Sequence, residues 1–276
     1  RPRSPLFNVI VTFRLNAPIN VALFSEAFAA VVRGSDALRT IIREEAGVPQ
    51  RVILPDPPQP LELLDFSDEA VPEASLQQWL TVRSQRALEI DKCAYDIVLI
   101  KLAEDAYYWY INQHHMIVDA ASVFIVYRRT VNAYNEAKES GKIAPKLDPP
   151  SFEAYVEFEK GYRASPRYEK SAVFWRNRLA EGIDPLRFYG RIPHKRSHKQ
   201  HRITYRLDPE RSQQLKDAMQ RPGVFNMTHN LGMLNVLLTI YFSLLQYMTG
   251  NRRLATMLPF HNRPTKPMKR TIGVRM

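Results

Sequence analysis

The chain has 276 residues, with 39 lysines and arginines against 28 acidic residues, a formal net charge of +11 and a hydrophobic content of 45%. This composition predicts a soluble globular protein, and the length favours two lobes over one. The single cysteine, Cys93, excludes an internal disulfide and indicates a reducing, cytoplasmic compartment. The basic residues are spread out rather than massed on one helix, so an acidic protein partner accounts for the charge as well as a nucleic acid does, and charge alone does not decide between them.

The two ends of the chain predict a piece of a longer protein. The first residue is Arg1 rather than methionine, and residues 272–276 read as the middle of an element. No signal peptide precedes the first predicted strand. Residues 231–248 are uncharged and long enough to span a membrane. Because polar side chains such as Asn235 and Gln246 interrupt this run, we expect a buried helix between two protein layers and no membrane.

The first half of the chain predicts an α+β layer with a mixed sheet. Residues 9–15 alternate as a strand does, and Asn20 can cap the helix that Gly34 ends. Further strands are predicted at residues 38–42, 51–54, 61–66, 96–102 and 107–113, with a helix over about 76–88.

A third helix is predicted to start at residue 120 and to end at Gly141. Asp119 stands before it and can cap it through its carboxylate. The spacings of four, three, four and three predict an apolar stripe of Ala120, Phe124, Tyr127, Val131 and Tyr134.

The second half of the chain starts with short predicted helices at residues 152–160 and 170–179. A basic loop up to residue 200 is interpreted as the boundary between the lobes. Beyond it, Asp208 is the predicted cap of a helix, and the apolar helix ends at Gly250. Strands are predicted at residues 201–207 and 253–258. The predicted organisation is an N-terminal lobe over residues 1–180, a connector over 181–200 and the beginning of a C-terminal lobe over 201–276.

Two adjacent histidines and an aspartate lie at the junction between the strand at residues 107–113 and the third helix. A scaffold holds side chains rigidly at such a junction, and imidazole is the usual general acid or base near neutral pH. Consecutive side chains on a strand point to opposite faces. His114 and His115 therefore cannot both line one cavity while the chain stays extended.

Other chemistry is not indicated. His194, His198 and His201 have spacings that metal ligands can have, but they lie among lysines and arginines without a cysteine or carboxylate nearby. We expect a solvated loop there and no metal. The chain has neither a phosphate-binding glycine loop nor a Gly-x-Ser-x-Gly elbow, so no bound cofactor is expected. The aromatic residues 107–110 are expected to lie in the protein core and in the wall of a tunnel, rather than to form a stacking platform for nucleic acid.

Four blocks, in order, resemble the condensation domains of nonribosomal peptide synthetases. The sequence HHMIVDA at residues 114–120 resembles their HHxxxDG signature, and LRT at 38–40 lies in a block similar to RHExLRTxF. YMTG at 247–250 with LPFHNRP at 258–264 resembles YTG…GxPxxNRP, and IG at 272–273 resembles the opening of the next motif. The chain departs from the pattern at Ala120, which replaces the signature glycine. It also lacks the family's first motif and the later third of the second lobe.

This resemblance implies two lobes similar to chloramphenicol acetyltransferase, paired in a V, with the N-terminal lobe nearly complete and the C-terminal lobe partial. It implies that His115 is the catalytic residue, which takes or orients the proton of the incoming nucleophile. His114, Asp119, Arg263 and Arg39 are the implied structural residues of the site, with Arg263 as the partner of Asp119. Substrates are expected on the phosphopantetheine arms of donor and acceptor carrier proteins, beside neighbouring synthetase domains.

The resemblance predicts an acyltransferase that joins a carrier-bound thioester to an amine, with a hydroxyl acceptor and an ester product left open. One alternative is a stand-alone acyltransferase of the wax-ester or polyketide-associated type, which shares HHxxxDG. The alternative from another class is a non-catalytic recruitment domain of the same fold, which Ala120 and the incomplete second lobe keep open. Epimerisation and heterocyclisation are disfavoured by the motifs present.

Overall fold

The computed structural model describes residues 4–143, 150–183, 186–187, 203–221, 223–224, 228–260, 262–263 and 265–275. The chain divides into two compact units: unit 1 consists of Arg1–Ser165 with Pro259–Met276, and unit 2 of Pro166–Leu258. These units do not coincide with the predicted lobes, because the last segment of the chain belongs to unit 1. Most of the predicted connector at 181–200 lies outside the described residues, so the lobe boundary stays a prediction.

Unit 1 is the expected α+β structure. Its four-stranded sheet has the order β1-β6-β5-β4; β6 is antiparallel to both β1 and β5, and β4 is parallel to β5. A separate hairpin joins β2 and β3. In chain order the elements are β1 (Asn8–Leu15), α1 (Val21–Arg33), β2 (Thr40–Glu45), β3 (Val48–Ile53), β4 (Glu62–Asp65), α2 (Pro72–Arg83), β5 (Tyr95–Ala103), β6 (Ala106–His114), α3 (Ala120–Ser140) and α4 (Phe152–Arg163).

The aromatic strand β6 forms the centre of two cores, as its sequence predicts. Side chains alternate across a strand, so Trp109 faces one side of the sheet and Tyr110 the other. Trp109 is fully buried in the core beneath α1 and α3, with the ring of Phe24 at 5.0 Å. Tyr110 lies in the smaller core with Leu76 of α2. Burial on both faces makes β6 a rigid base for the histidines at its end.

The helix caps of unit 1 follow the sequence closely. The Asn20 side chain accepts a hydrogen bond from the Leu23 N–H at 3.0 Å, as predicted for the start of α1. Gly141 ends α3 in the left-handed conformation, where a residue without Cβ is unstrained. Local sequence therefore sets where these helices begin and end.

The predicted apolar stripe of α3 is confirmed in part: Tyr134 is buried in the core and Tyr127 packs against it, whereas the residues at the start of the stripe do not. Ala120 is exposed, and Phe124 keeps 53% of its surface exposed. A helix with apolar residues at several phases can present more than one stripe to the core, and the first turns of α3 bury Ser122, Val123 and Val126 instead of the predicted residues. Its buried residues are Ser122, Val123, Val126, Thr130, Ala133, Tyr134 and Ala137.

In unit 2 the structure describes helices and no strands. These are α5 (Pro166–Ala180), α6 (Pro209–Met219) and α7 (His229–Thr249). The predicted caps are present: Asp208 accepts from the Arg211 N–H at 2.8 Å, and Gly250 ends α7. Strands were predicted at 201–207 and 253–258, and the described residues of these segments, 203–207 and 253–258, form none. A strand needs a neighbour to complete its hydrogen bonds, and the described part of unit 2 offers none.

The prediction that α7 is a buried helix is also wrong for the described chain. Only Gly232, Val236 and Leu245 of α7 are buried, while Ile240 is 52% and Tyr247 89% exposed. The reason is that α5 and α6 are the only other described helices of unit 2, too few to surround it. Among the described helices, α7 is the one whose length and composition would let it cross a membrane. Core helices of soluble proteins meet the same criterion, so this is weak evidence for a span.

Candidate active site

The two histidines lie where β6 gives way to a turn. The strand ends at His114, residues 115–117 form the turn, and α3 begins at Ala120. The backbone on both sides is fixed by the sheet, since the His114 N–H donates to the Ala94 carbonyl at 2.8 Å and the His115 N–H to the Phe7 carbonyl at 2.7 Å. Strand alternation therefore applies up to His114 and does not by itself orient His115.

The His114 imidazole supports the turn. Its Nδ1 accepts a hydrogen bond from the Met116 N–H at 3.2 Å, so the neutral ring carries its proton on Nε2. The ring also lies beside Phe7, with 6.0 Å between ring centroids. Burial, and next the electrostatic interaction with the neighbouring His115 imidazole, lower the pKa of His114 below its ordinary value. A neutral His114 that accepts from the backbone fits the structural role implied by the resemblance.

The His115 imidazole differs from that of His114 in its hydrogen bonding. The residue is half-buried, and among the described residues none forms a hydrogen bond with the ring. Both ring nitrogens are thus available to another group. The catalytic role of His115 remains a prediction.

Asp119 is the centre of a buried polar cluster. The residue is 4% exposed, and its Oδ1 accepts from the Ser122 backbone N–H at 2.8 Å, which makes it the N-cap of α3. The Ser122 hydroxyl donates to the same oxygen at 2.7 Å. Burial alone would raise the pKa of Asp119, but hydrogen bonds from Arg263 and Ser122 outweigh it and hold the pKa below its ordinary value. The carboxylate is therefore ionised at neutral pH.

Arg263 binds this carboxylate with both ends of its guanidinium. Its Nη1 lies 2.7 Å from Asp119 Oδ2, and its Nη2 lies 2.8 Å from Oδ1. The planar fork of arginine matches a carboxylate in this geometry. Arg263 is itself 4% exposed and also donates to the Ser122 hydroxyl at 2.9 Å. The partner that the resemblance implied for Asp119 is thus brought to it across 144 positions of sequence.

The residue before Arg263 explains how the arginine reaches the cluster. Asn262 has a φ of 37°, in the left-handed region that asparagine tolerates better than most side chains. Its side-chain amide donates to the Tyr155 hydroxyl of α4 at 3.2 Å. This anchor holds the bend that turns Arg263 towards Asp119.

Sequence reasoning missed a second buried arginine. Arg275 is 1% exposed, its backbone N–H donates to Asp119 Oδ2 at 3.3 Å, and its guanidinium lies 4.0 Å from the centroid of the Tyr155 ring. Burial and the charge of Arg263 lower the pKa of Arg275 to about 10. The Asp119 carboxylate pairs with the guanidinium of Arg263 and not with that of Arg275, so the Tyr155 ring supplies part of the stabilisation of the buried Arg275 charge. No pattern in the sequence pointed to Arg275 or Tyr155.

Gly273 is the position where the cluster requires glycine. Its φ is 148°, and a Cβ there would lie 2.0 Å from Cδ2 of the Phe152 ring. Its N–H donates to the Ser122 hydroxyl at 3.0 Å, and its carbonyl accepts from Arg263 Nη2 at 3.2 Å. The glycine lets the backbone approach closely enough to satisfy both groups.

Arg39 does not join this cluster. Its guanidinium donates to the carbonyls of Leu54 and of Pro55, the latter at 3.2 Å, and so ties the end of the β2–β3 hairpin together. The prediction of a structural role at the site is therefore corrected for Arg39: its bonds are structural, but they lie outside the Asp119 cluster. Asp36, three positions before Arg39, makes a different structural contact. Its carboxylate accepts a hydrogen bond from the Phe152 N–H at 2.8 Å, at the start of α4.

The replacement of the signature glycine by Ala120 causes no backbone strain. Ala120 is the first residue of α3 and is exposed. The only non-glycine residues with positive φ in the described ranges are Ala46 and Asn262. Alanine is the best helix former, so the backbone at position 120 accommodates this residue.

Elsewhere in unit 1, a cavity of about 420 Å³ lies beside β5 and does not include either histidine. Several charged residues line it, and one of them, Arg83, already pairs with Asp96 at 2.7 Å and with Glu62 at 2.6 Å. Within the described part of the chain, no group of histidine, cysteine and acidic residues is placed to hold a metal ion. His194, His198 and His201 lie outside the described residues.

Comparison with known proteins agrees with this geometry. A dimodular nonribosomal peptide synthase of Bacillus subtilis (strain 168) is 28% identical over 218 residues, which cover 79% of this chain and 9% of that protein. A phosphinothricin tripeptide synthetase of Streptomyces viridochromogenes is 24% identical over 290 residues, which cover 99% of this chain and 25% of that protein. The solved first condensation domain of the calcium-dependent antibiotic synthetase, bound to a substrate analogue, matches with a TM-score of 0.80 and 25% identity, over 99% of this chain and 63% of that one.

The chain thus spans less than two thirds of each of these proteins. The model of the condensation domain family matches residues 1–274, which is nearly the whole chain. The chain therefore belongs to the condensation domain family.

Proposed function

We propose that the chain carries the histidine side of an acyltransferase site, which forms an amide between a carrier-bound acyl or peptidyl thioester and an amine. The observation that carries the proposal is the contrast between His115 and Asp119 in the segment that joins β6 to α3. The His115 ring is half-buried without a hydrogen bond from the described residues, while the Asp119–Arg263 pair holds the chain just beyond it. Membership of the family and the relatives that are peptide synthetases support the same reaction.

In this mechanism the nucleophile is an uncharged amine. Its nitrogen attacks the thioester carbonyl carbon while one N–H proton passes to, or is held by, a nitrogen of the neutral His115 imidazole. The C–N bond forms, the C–S bond breaks, and the leaving thiolate takes up the proton. A hydroxyl nucleophile follows the same course to an ester. Each substrate would be delivered on the phosphopantetheine arm of a carrier protein, in the cytoplasm and within a larger synthetase.

His114 does not compete for this role in the proposal, because its Nδ1 is engaged by the Met116 N–H. Asp119 is likewise assigned to scaffold rather than proton transfer, since both its oxygens accept hydrogen bonds and its pKa is held low. A base that is ionised, buried and fully paired has little capacity to accept a proton near neutral pH.

The test uses the full-length protein with a donor and an acceptor loaded on carrier proteins, and product on the acceptor is followed by intact-protein mass spectrometry. We expect His115→Ala to reduce turnover by roughly 10²–10⁴-fold, the usual contribution of a general base. His115→Gln separates the two forms of the mechanism. A glutamine can still accept a hydrogen bond but cannot take a proton, so near-normal turnover would favour orientation over abstraction. Near-normal turnover by His115→Ala would reject the proposal.

A further inference from the structure

The exposed side of α3 and the segment after Arg263 together form a basic cavity that the proposed mechanism does not use. The cavity measures about 230 Å³, below the roughly 300–1,000 Å³ of drug-sized ligand pockets, and so suits a small group. Its lining consists of Ile125, Arg128, Arg129, Asn132, Lys269 and Arg270. This set contains four cations, one amide and no carboxylate.

These cations lack an acidic partner within the part of the chain that the structure describes. The ion pairs there all involve other basic residues. Arg129 is half-buried, and its Nη2 donates to the backbone carbonyl of Arg270 at 2.5 Å, which fixes the guanidinium beside a second arginine. Burial and the charge of Arg270 lower the pKa of Arg129 to about 10. Grouped like charges repel, so the arrangement favours a bound anion.

A second cavity adjoins the first and differs from it in character. It measures about 310 Å³ and shares Ile125, Arg128 and Lys269 with the basic cavity. Its other lining residues are Ala121, Phe124 and Arg263, so it leads along α3 from the cations to the arginine that binds Asp119. Phe124 is its aromatic lining residue and is 53% exposed.

We propose that the basic cavity is a phosphate-binding subsite, and that its natural ligand is an organic phosphate ester whose apolar part lies in the adjoining cavity. Arginine forks and a lysine are the side chains that bind phosphate oxygens, and they act most strongly where several converge. The phosphate neutralises the cluster, and Phe124 and Ile125 cover the adjoining atoms of the ester. That this ester is the arm of a carrier protein rests on the proposed function; the phosphate site itself does not.

The experiment is isothermal titration calorimetry on the full-length protein at constant ionic strength, with inorganic phosphate, 4′-phosphopantetheine and pantetheine as ligands. The test variant is Arg128→Gln/Lys269→Gln, which removes two exposed cations of the site. The control, Lys142→Gln/Lys170→Gln, removes the same charge from exposed positions outside the cavity. We expect inorganic phosphate to bind wild type and control equally and the test variant at least tenfold more weakly. We expect 4′-phosphopantetheine to bind more tightly than phosphate, and pantetheine to bind weakly.

Thermal melts keep the result independent of folding defects. Without phosphate, the test variant should melt at or above the wild-type temperature, because repulsion is relieved. With phosphate, wild type should gain stability and the test variant should not. Equal phosphate binding by all three proteins, no phosphate binding at all, or pantetheine binding as tight as that of 4′-phosphopantetheine would overturn the subsite. Because no step depends on turnover, failure here leaves the proposed reaction standing, and a loss of condensation activity alone does not reject the subsite.

Discussion

His115 and Asp119 lie four positions apart, yet their environments are opposite. The His115 ring is half-buried and receives no hydrogen bond from the described residues, whereas Asp119 is 4% exposed and accepts from Ser122, Arg263 and the Arg275 backbone. The difference teaches that the group available for chemistry and the groups that hold the backbone are distinct. Each can therefore be removed separately.

The largest effect is expected from Asp119→Ala. It leaves Arg263 buried without its partner, which typically destabilises a protein by about 3–5 kcal/mol, and it removes a helix cap worth roughly 1 kcal/mol. Chemical denaturation of the full-length protein gives the free energy of unfolding. The control is Glu157→Ala, which removes an exposed ion pair with Lys160 and should leave that free energy within experimental error. An Asp119→Ala protein as stable as wild type would contradict the scaffold role.

A double-mutant cycle sharpens the same point. Arg263→Ala alone should also destabilise, because it leaves the carboxylate unpaired. The double variant should cost less than the sum of the two single changes, because neither charge is then left alone. Additive single effects would mean that the observed pair contributes no coupling.

Acid should weaken the cluster in a defined range of pH. The pKa of Asp119 is lowered in the folded state, so its contribution to stability is fully present above its unfolded pKa of about 3.9 and is lost as pH falls through the folded value. The stability difference between wild type and Asp119→Asn should therefore be constant from pH 5 to 7 and shrink below about pH 4. Denaturation series at each pH measure it. A difference that does not depend on pH would show that the ionised carboxylate is unimportant.

An intermediate effect is expected from Gly273→Ala. The added methyl group must displace the Phe152 ring and strain a backbone with a φ of 148°. Overpacking of this kind typically costs about 1–3 kcal/mol. Gly161→Ala on α4 is the matched control, since nothing lies within 4 Å of its Cβ position and alanine favours a helix by up to about 1 kcal/mol. Thermal melts should show a lower Tm than wild type for Gly273→Ala, and an equal or higher Tm for Gly161→Ala. The opposite order would contradict the close approach of Gly273 to α4.

The smallest effect on stability among the cluster residues is expected from Tyr155→Phe. It removes the hydroxyl that anchors Asn262 but keeps the ring under Arg275, for a loss of about 1 kcal/mol. Tyr155→Leu removes both contacts and should lower the Tm further. Equal melting of the two variants would mean that the contact between the ring and Arg275 contributes nothing.

The local features of the fold could be predicted from the sequence. Asn20, Asp119 and Asp208 were each identified as helix caps, because a cap depends on residues only three positions away. The strand pair that carries the histidines could also be predicted from its alternation and its turn. Arg263 as the partner of Asp119 came only through the resemblance, since the two residues are 144 positions apart.

Features that depend on distant packing could not be predicted in this way. The apolar spacing of α3 identified Tyr127 and Tyr134 as core-facing, but it did not reveal that Ser122, Val123 and Val126 are buried at the start of the helix while Phe124 is exposed. The prediction of strands in unit 2 was wrong for the described residues, because a strand requires a neighbouring strand that local sequence does not specify. Arg275 and Tyr155 were missed because a cation over an aromatic ring has no signature in the sequence.

The central claim is that His115 performs chemistry while Asp119 maintains structure. The most direct test measures turnover and Tm together for His115→Ala and Asp119→Ala in the full-length protein with loaded carriers. The account predicts that His115→Ala keeps the wild-type Tm and loses turnover by roughly 10²–10⁴-fold, whereas Asp119→Ala loses both. Full stability with no turnover in Asp119→Ala, or near-normal turnover in His115→Ala, would contradict it.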